Sequence, residues 1–368
     1  MNYPRNIIIE VTQRCNLNCV MCSRRIDRRP QGDLSLELFK KLERALPMIK
    51  LVILTGHGES LLHKDFFEML RICKAAGCKT RIITNATVMD DEMAKRLVTY
   101  GLDELIVSMD AAEKDLFEKI RTGASFDTVM NNIRRVNRFK RELKSATPLL
   151  VFEIVGMEQN VRQLPALVKL AKEMGAARVG IATLAEHNPE VRGQSLRRHP
   201  DLLKKYLIAA EKTAKKLGVR LECGEPYLEV LGKTSIQSPV PGRLKWLSKM
   251  ITNTASDLRT LDGRTYLFRT AFQRSERALA SRNLIKSRRI AGTKVHCSDP
   301  WEFAFIRWDG KVRPCCASDR IIGDLAENSF DEIWHADAYQ IFRSMVSSGQ
   351  PPVECMRCTT RRKTTYVE

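Results

Sequence analysis

Short apolar runs alternate with amphipathic helical stretches over the first 220 residues or so, and this alternation constrains the fold more than any other feature. Strand-like runs fall at Ile7–Val11, Leu51–Leu54, Thr80–Ile83, Glu104–Val107, Leu150–Val155 and Arg178–Ala182. Helical spacing occupies Leu36–Leu46, Phe66–Ala76, Asp91–Tyr100, Phe126–Leu143 and Arg162–Met174 between them. A further helix at Leu202–Leu217 precedes a short strand at Val219–Glu222. Strands separated by helices predict an α/β fold with a parallel sheet built from βα units. When such an array curls, its chemistry collects at the C-terminal strand ends. The polar clusters of this chain sit at those ends: Cys15 after the first strand, "TGHGES" after the second, "TNAT" after the third and "SMDA" after the fourth.

The alternation stops near Gly224. Residues 232–294 hold 14 Lys and Arg against three acidic residues, a local charge of +11 in a chain whose total is +19. From His296 a cysteine-bearing pattern begins. The expected domains are therefore 1–225, a βα core; 226–295, a basic helical insertion; and 296–368, a small C-terminal module. No run approaches the 18 apolar residues of a membrane span. The N-terminal "MNYPRNIIIEVTQRC" lacks the features of a signal peptide. A cytoplasmic protein with reduced thiols is expected. Its 11 cysteines then point to metal or redox chemistry and not to a disulfide framework.

The cysteines give the chemistry. Cys15, Cys19 and Cys22 are spaced C-x3-C-x2-C in "RCNLNCVMC". Three thiolates on one tight loop can hold three irons of a [4Fe–4S] cluster and leave the fourth open to a small molecule. On spacing alone, a zinc site completed by a distant Cys or His stays open. Further on, Cys297, Cys315, Cys355 and Cys358 form a second set, with Asp309-Gly310 placed as a hairpin turn that would bring Cys297 and Cys315 side by side. Here too a zinc ribbon-like site is the competing reading.

The triplet after a first strand resembles the radical S-adenosylmethionine (radical SAM) superfamily. The resemblance implies a partial (β/α)6 barrel. It also implies that SAM fills the open iron position and is reductively cleaved to a 5′-deoxyadenosyl radical that abstracts hydrogen from a substrate. A flavodoxin- or ferredoxin-type electron donor follows. "LTGHGESLL" resembles the family's GGE motif, departing from it at His57 and at Ser60, which stands where Pro is usual. "ITNAT", "VSMDA", "EKIRTGASFDTVMNNI" and "VGMEQN" resemble the segments that follow the later strands. The SAM contacts so implied are Met21, Gly58, Glu59, Asn85, Ser108, Arg121 and Asn160, with Arg121 pairing the SAM carboxylate. "WDGKVRPCC", "IGDLAENSFDEIW" and "PPVECMRC" resemble the SPASM/twitch extension. That implies one auxiliary [4Fe–4S] cluster on Cys297, Cys315, Cys355 and Cys358.

Cys73 and Cys78 are expected to be packed thiols. Candidate catalytic residues are Cys223 and Cys316 as hydrogen-atom donors, and His187 and Glu153, with Glu186, at the substrate pocket. A saturated auxiliary cluster suits electron transfer, so a two-electron oxidation of an unknown, anionic small-molecule or carbohydrate substrate leads the readings. A redox-neutral epimerase, a ribosomal-peptide maturase and a zinc-bound basic nucleic-acid adaptor are the alternatives. In the insertion, Leu244, Trp246, Leu247, Met250 and Ile251, then Phe268, Phe272 and Leu279, recur at helical spacing among basic residues. Such helices suit peripheral contact with an anionic membrane, or packing on the core. No motif supports nucleic-acid binding.

Overall fold

The computed structural model describes residues 3–26, 31–186, 188–224, 227–228, 295–348, 352–356 and 362–363. His187 and Cys358 lie outside the described residues, as does most of the expected basic insertion, residues 229–294. Strands in chain order are β1 (Asn6–Ile9), β2 (Leu51–Leu54), β3 (Lys79–Thr84), β4 (Glu104–Ser108), β5 (Leu149–Gly156), β6 (Arg178–Thr183), β7 (Arg220–Cys223), β8 (Val295–His296), β9 (Phe303–Ile306), β10 (Lys311–Arg313), β11 (Gly323–Asp324) and β12 (Arg362–Lys363). The helices are α1 (Leu36–Lys40), α2 (Phe66–Ala75), α3 (Asp91–Thr99), α4 (Lys114–Ile120), α5 (Phe126–Glu142), α6 (Leu164–Glu173), α7 (Pro200–Leu217), α8 (Asp299–Glu302), α9 (Phe330–His335), α10 (Asp337–Ser347) and α11 (Val353–Met356). Each expected strand of the βα core is present. The stretch expected as a helix over 36–46 departs from expectation. Only α1 is regular, and from Lys41 onward i→i+3 bonds such as Leu42 N to Phe39 O and Ala45 N to Leu42 O replace the α pattern. Pro47 follows; it lacks an N–H and disfavours α geometry in the residue before it.

The chain forms two compact units. One comprises Met1–Arg14, Arg29–Arg81 and Arg269–Glu368. Within it β1 pairs in parallel with β2 on one side and with β9 on the other, Ile8 lying opposite both Ile53 and Phe305. β2 continues in parallel to β3. β9 and β10 form the expected antiparallel hairpin, with Val312 opposite Ile306. Gly310 sits in its turn at φ +79°, a left-handed conformation that suits glycine. β1 is buried on both faces: Ile7, Ile8 and Ile9 are at most 1% exposed. That explains its unbroken apolar sequence. α9 begins with a capping box, Ser329 and Glu332 each bonding the other's backbone N–H. It buries Trp334 against Tyr339 of α10.

The other unit comprises Cys15–Arg28 and Ile82–Phe268. Its strands β4, β5, β6 and β7 are parallel neighbours in that order. The register sets Ser108 beside Glu153, Glu153 beside Gly180, and Val155 beside Ala182. Because side chains alternate along a strand, Ser108, Glu153, Val155, Gly180 and Ala182 share one face. Arg178 lies on it too, two residues before Gly180, bonded to Glu104 at 3.4 Å and to Glu222 at 3.3 Å. The other face is covered by amphipathic helices. α5 buries Val129, Met130, Ile133 and Val136, and α6 buries Leu164, Leu167 and Val168.

α4 carries the next residues of interest. Its Phe117 is fully buried and meets Phe126 edge to face at 5.5 Å. This anchors the helix whose end bonds the cysteine loop, through Val20 N to Ile120 O and Asn18 N to Thr122 O. Phe117→Ala is expected to cost about 3–5 kcal/mol. It should lower the apparent melting temperature and the iron retained at the N-terminal site. Unchanged melting and iron content would show that α4 does not hold the loop.

Candidate functional site

The cysteine loop begins where β1 has delivered the chain to the C-terminal edge of its unit. Before the first cysteine, the backbone of Thr12–Arg14 is gripped from two sides. Arg14 pairs with Asp33 through Nη2 at 2.6 Å and donates to the Leu62 carbonyl. The "GHGE" turn after β2 packs on the same segment, with Glu59 N donating to Arg14 O at 2.8 Å. A Cβ at Gly58 would lie 2.4 Å from Arg14 O and 2.5 Å from Thr12 O. No other residue fits that approach, which gives the motif glycine a steric reason. Glu59 is 2% exposed and its carboxylate caps the following turn at Leu61 N.

A buried dyad that the sequence reading did not single out lies beside this turn. Glu10, 1% exposed, accepts from His57 Nδ1 at 2.8 Å, from His57 N and from Gln13 Nε2. Burial pushes its carboxyl up, but the bonds from His57 outweigh that and hold it below the usual range. A Cβ at Gly56 would lie 2.3 Å from Glu10 Cγ, so the first glycine of "GHG" makes room for the carboxylate.

In the other unit the loop itself is packed against an apolar floor. Leu17, Cys19 and Met21 join Ile120, Val155, Met157, Ala182 and Leu184, with Cys15 and Cys22 at the margin. Burial pushes the Cys19 thiol up to about 11, Arg121 acting against it. Such a thiol gives up its proton to a bound metal cation far more readily than to water. Three sulfurs on one loop over an apolar wall therefore fit an iron–sulfur cluster.

Arg121 and Asp110 organise the surroundings. Arg121 Nε bonds Asp110 Oδ2 at 2.6 Å, and Nη1 reaches Cys19 Sγ at 3.9 Å. Asp110 Oδ1 accepts from Val155 N at 2.7 Å. Both side chains are buried, and Asp110 is fully so. Burial raises the Asp110 carboxyl against the pull of Arg121. For Arg121, burial acts downward and the Asp110 carboxylate outweighs it, so the net is upward. Asp110 was not among the expected site residues, although it is the Asp of the "VSMDA" match.

The remaining expected residues fall in different places. Asn85 donates to Asn16 Oδ1 at 3.0 Å and approaches Cys15 Sγ at 3.8 Å. Ser108 and Glu153 lie on the strand face that also carries Val155, one pleat repeat of about 7 Å below the loop's floor. Asn160 is fully buried. It donates to the carbonyls of Asp110 and Val155 and accepts from Met157 N, so its amide is spent on backbone. Cys223 lies beside Ile181 in register and thus takes the face opposite Glu153. Glu186 accepts from Ser195 N. Cys73 and Cys78 are buried as expected, Cys78 Sγ donating to Leu46 O at 3.2 Å.

The C-terminal cysteines converge. Cys297, Cys315 and Cys355 line one pocket, together with Asp299, Pro300, Ser318, Phe342, Val346 and Glu354. The hairpin β9–β10 is what returns Cys315 to the side of Cys297. Cys316 is buried, 2% exposed, and does not line this pocket. An apolar pocket faced by three sulfurs fits a second iron–sulfur cluster.

A model of the radical SAM superfamily matches residues 9–171, and a model of the SPASM iron–sulfur cluster-binding domain matches residues 297–359. Two relatives match over nearly the whole chain. A tungsten-containing aldehyde ferredoxin oxidoreductase cofactor-modifying protein of Pyrococcus furiosus is 24% identical over 98% of this chain and 89% of its own. An AdoMet-dependent heme synthase of Methanosarcina barkeri is 23% identical over 98% and 90%. Among solved structures, Streptococcus suis SuiB bound to S-adenosylmethionine matches with a TM-score of 0.61 at 16% identity, over 97% of this chain and 71% of SuiB. AdoMet-bound anSMEcpe matches at 0.57 and 16%, over 97% and 86%. These two show the shared fold. A [4Fe–4S] cluster, S-adenosylmethionine and an auxiliary iron–sulfur cluster are the cofactors that both domains bring. The chain is thus an enzyme of the radical SAM superfamily, with a SPASM domain at its C-terminal end.

Proposed function

We propose that this enzyme oxidises a cofactor precursor or similar anionic small molecule by two electrons. In this reading Cys15, Cys19 and Cys22 hold the cluster that binds SAM, and Cys297, Cys315, Cys355 and Cys358 hold the auxiliary one. When bound, the first cluster and SAM supply a 5′-deoxyadenosyl radical that takes a hydrogen atom from the substrate. Forming a double bond then requires the loss of one more electron and a proton. The observation that carries the oxidation is the convergence of Cys297, Cys315 and Cys355 on one pocket. With Cys358 of the same short C-x2-C motif, the set has four sulfurs, which leave no iron open to substrate and suit it to taking up the electron. The substrate class is supported by the two relatives that span 98% of the chain, one named for heme synthesis and one for cofactor modification. The net charge of +19 favours an anionic compound.

The chain's own residues do the positioning. Gly58 and Glu59 would offer backbone and carboxylate oxygens to the ammonium of a bound SAM. Asn85 and Arg121 flank the cysteine loop, Arg121 with its guanidinium fixed by Asp110. Ser108 and Glu153, on the strand face below the loop, are the groups that meet the substrate, and Glu153 is the acceptor for its proton. Among the described residues no helix is long and apolar enough to cross a membrane.

Replacing Cys15, Cys19 and Cys22 together by Ala should abolish dithionite-driven formation of 5′-deoxyadenosine and leave about four irons in the C-terminal module. Retained cleavage would refute the assignment of the triplet. Replacing Cys355 and Cys358 together should preserve substrate-free SAM cleavage while oxidised product disappears. If that variant is folded, holds about four irons and still makes oxidised product, the electron-acceptor role is wrong and a redox-neutral reaction with Cys316 as hydrogen donor takes its place. Asp110→Asn leaves Arg121 buried without its counter-ion, a change that costs about 3–5 kcal/mol. Melting should fall and SAM affinity should weaken in isothermal titration; unchanged values in both would show that the pair does not set the loop.

A further inference from the structure

Arg343 of α10 is a buried cation that no carboxylate pairs among the described residues. It is 7% exposed, and its guanidinium lies against two rings that touch each other, 4.2 Å from the centroid of Trp334 and 4.4 Å from that of Tyr339. Nε donates to the Pro300 carbonyl at 2.9 Å and Nη1 to the Trp334 carbonyl at 3.2 Å. Nη2 is buried with no hydrogen-bond partner among the described residues, and no ion pair engages the group there. A guanidinium stays protonated in a protein. Burying such a charge is expensive unless an opposite charge compensates it. Carbonyls and ring faces solvate it in part, but they do not neutralise it.

The pocket of the C-terminal cysteines lies alongside. Pro300, whose carbonyl Arg343 holds, is one of its walls, as are Phe342 and Val346 from the same helix. Tyr339 senses both sides: burial raises its phenol, the Arg343 charge pulls it down and Cys315 pushes it up. The side of the pocket next to Arg343 is largely apolar and aromatic, with Asp299, Ser318 and Glu354 elsewhere on its wall, so a charge there is less screened than in water. An iron–sulfur cluster held by thiolates is an anion, and it gains a further negative charge on reduction.

We propose that Arg343 is the buried counter-cation of the auxiliary cluster and raises its reduction potential. This rests on the assignment of Cys297, Cys315 and Cys355 to that cluster. Arg343 is a positioning and tuning residue; it touches neither substrate nor SAM. A fixed positive charge favours the reduced cluster, and so favours uptake of the electron that the substrate radical must lose.

The test uses the full chain with Cys15, Cys19 and Cys22 replaced by Ala, so that only the auxiliary cluster reports. Potentiometric titration followed by electron paramagnetic resonance gives its midpoint. Arg343→Met should shift the reduced-to-oxidised ratio at a fixed potential at least tenfold toward oxidised, which for one electron is about 59 mV. Arg343→Lys, which keeps the charge, should stay near the parent. A fully loaded Arg343→Met protein with the parent's midpoint would overturn the proposal. If Arg343→Met fails to retain iron while Arg343→Lys retains about four, the anionic cluster needs the charge and the proposal stands. Loss of iron in both variants would make Arg343 a folding residue of α10 and overturn it. A background protein that holds no cluster at all would refute the cysteine assignment itself, and is thereby distinguished from failure at Arg343.

Discussion

The buried pair of Asp110 and Arg121 is the interaction on which the N-terminal site depends. One carboxylate takes Val155 N from β5 and the Arg121 guanidinium from the end of α4. The backbone carbonyl of Asp110 takes the Asn160 amide, which also closes the turn after β5. Arg121 in turn reaches Cys19. A strand end, a helix end, a turn and the cysteine loop thus meet through two charges. The pair is fully desolvated, so neither partner can be removed without stranding the other, and its value lies in geometry more than in net stability. The loop carries three cysteines in eight residues and has little regular structure of its own, so its position has to be imposed from outside.

Much of this architecture was legible in the sequence because it follows from periodicity. β1 reads as an unbroken apolar run, and it is buried on both faces by β2 and β9. Asp309-Gly310 reads as a turn, and the hairpin forms there with Gly310 at positive φ. The stretch after Leu36 shows the limit of such reading. Its apolar spacing is helical to Leu46, but Pro47 lies downstream and the chain tightens into i→i+3 turns. Local backbone sterics outweighed the pattern. The N-terminal residues of β9 illustrate a second limit: nothing in "FAFI" says that it pairs in parallel with β1, some 300 residues away, since partner choice in a sheet is a tertiary decision.

The site was legible to the extent that its residues have motif spacing. The cysteines are motif residues, and three of the C-terminal four come to one pocket. Gly58 is another, and the reason for it is steric: the carbonyls of Thr12 and Arg14 leave no room for a Cβ. Residues whose role is to hold others were harder to see. Asp110 is an ordinary Asp until Val155 N and Arg121 are found on its two oxygens. Glu10 reads as the polar end of an apolar strand until His57 is seen to donate to it. Asn160 went the other way, since a polar residue at a strand end looks like a ligand contact and the fold spends its amide on backbone. The face that Cys223 takes could not be read either, since it depends on the register to β6.

Arg121 and Arg343, two of the buried arginines near cysteines, differ in a way that matters for the proposed electron flow. Arg121 lies beside Cys19 but is neutralised at 2.6 Å by a fully buried carboxylate. The Asp110 carboxylate offsets part of its field beyond the cysteine it touches. Among the described residues Arg343 is held by carbonyls and ring faces and by no carboxylate, and its charge acts across the wall of the C-terminal pocket. A cluster that must reduce a sulfonium has to hold its electron loosely, so a compensated cation suits it. A cluster that must draw an electron from a carbon radical has to hold it more tightly, and an uncompensated cation supplies that preference. On the proposed reading, the different placement of carboxylates around these two guanidiniums is the feature that would favour one cluster as a donor and the other as an acceptor within the same chain.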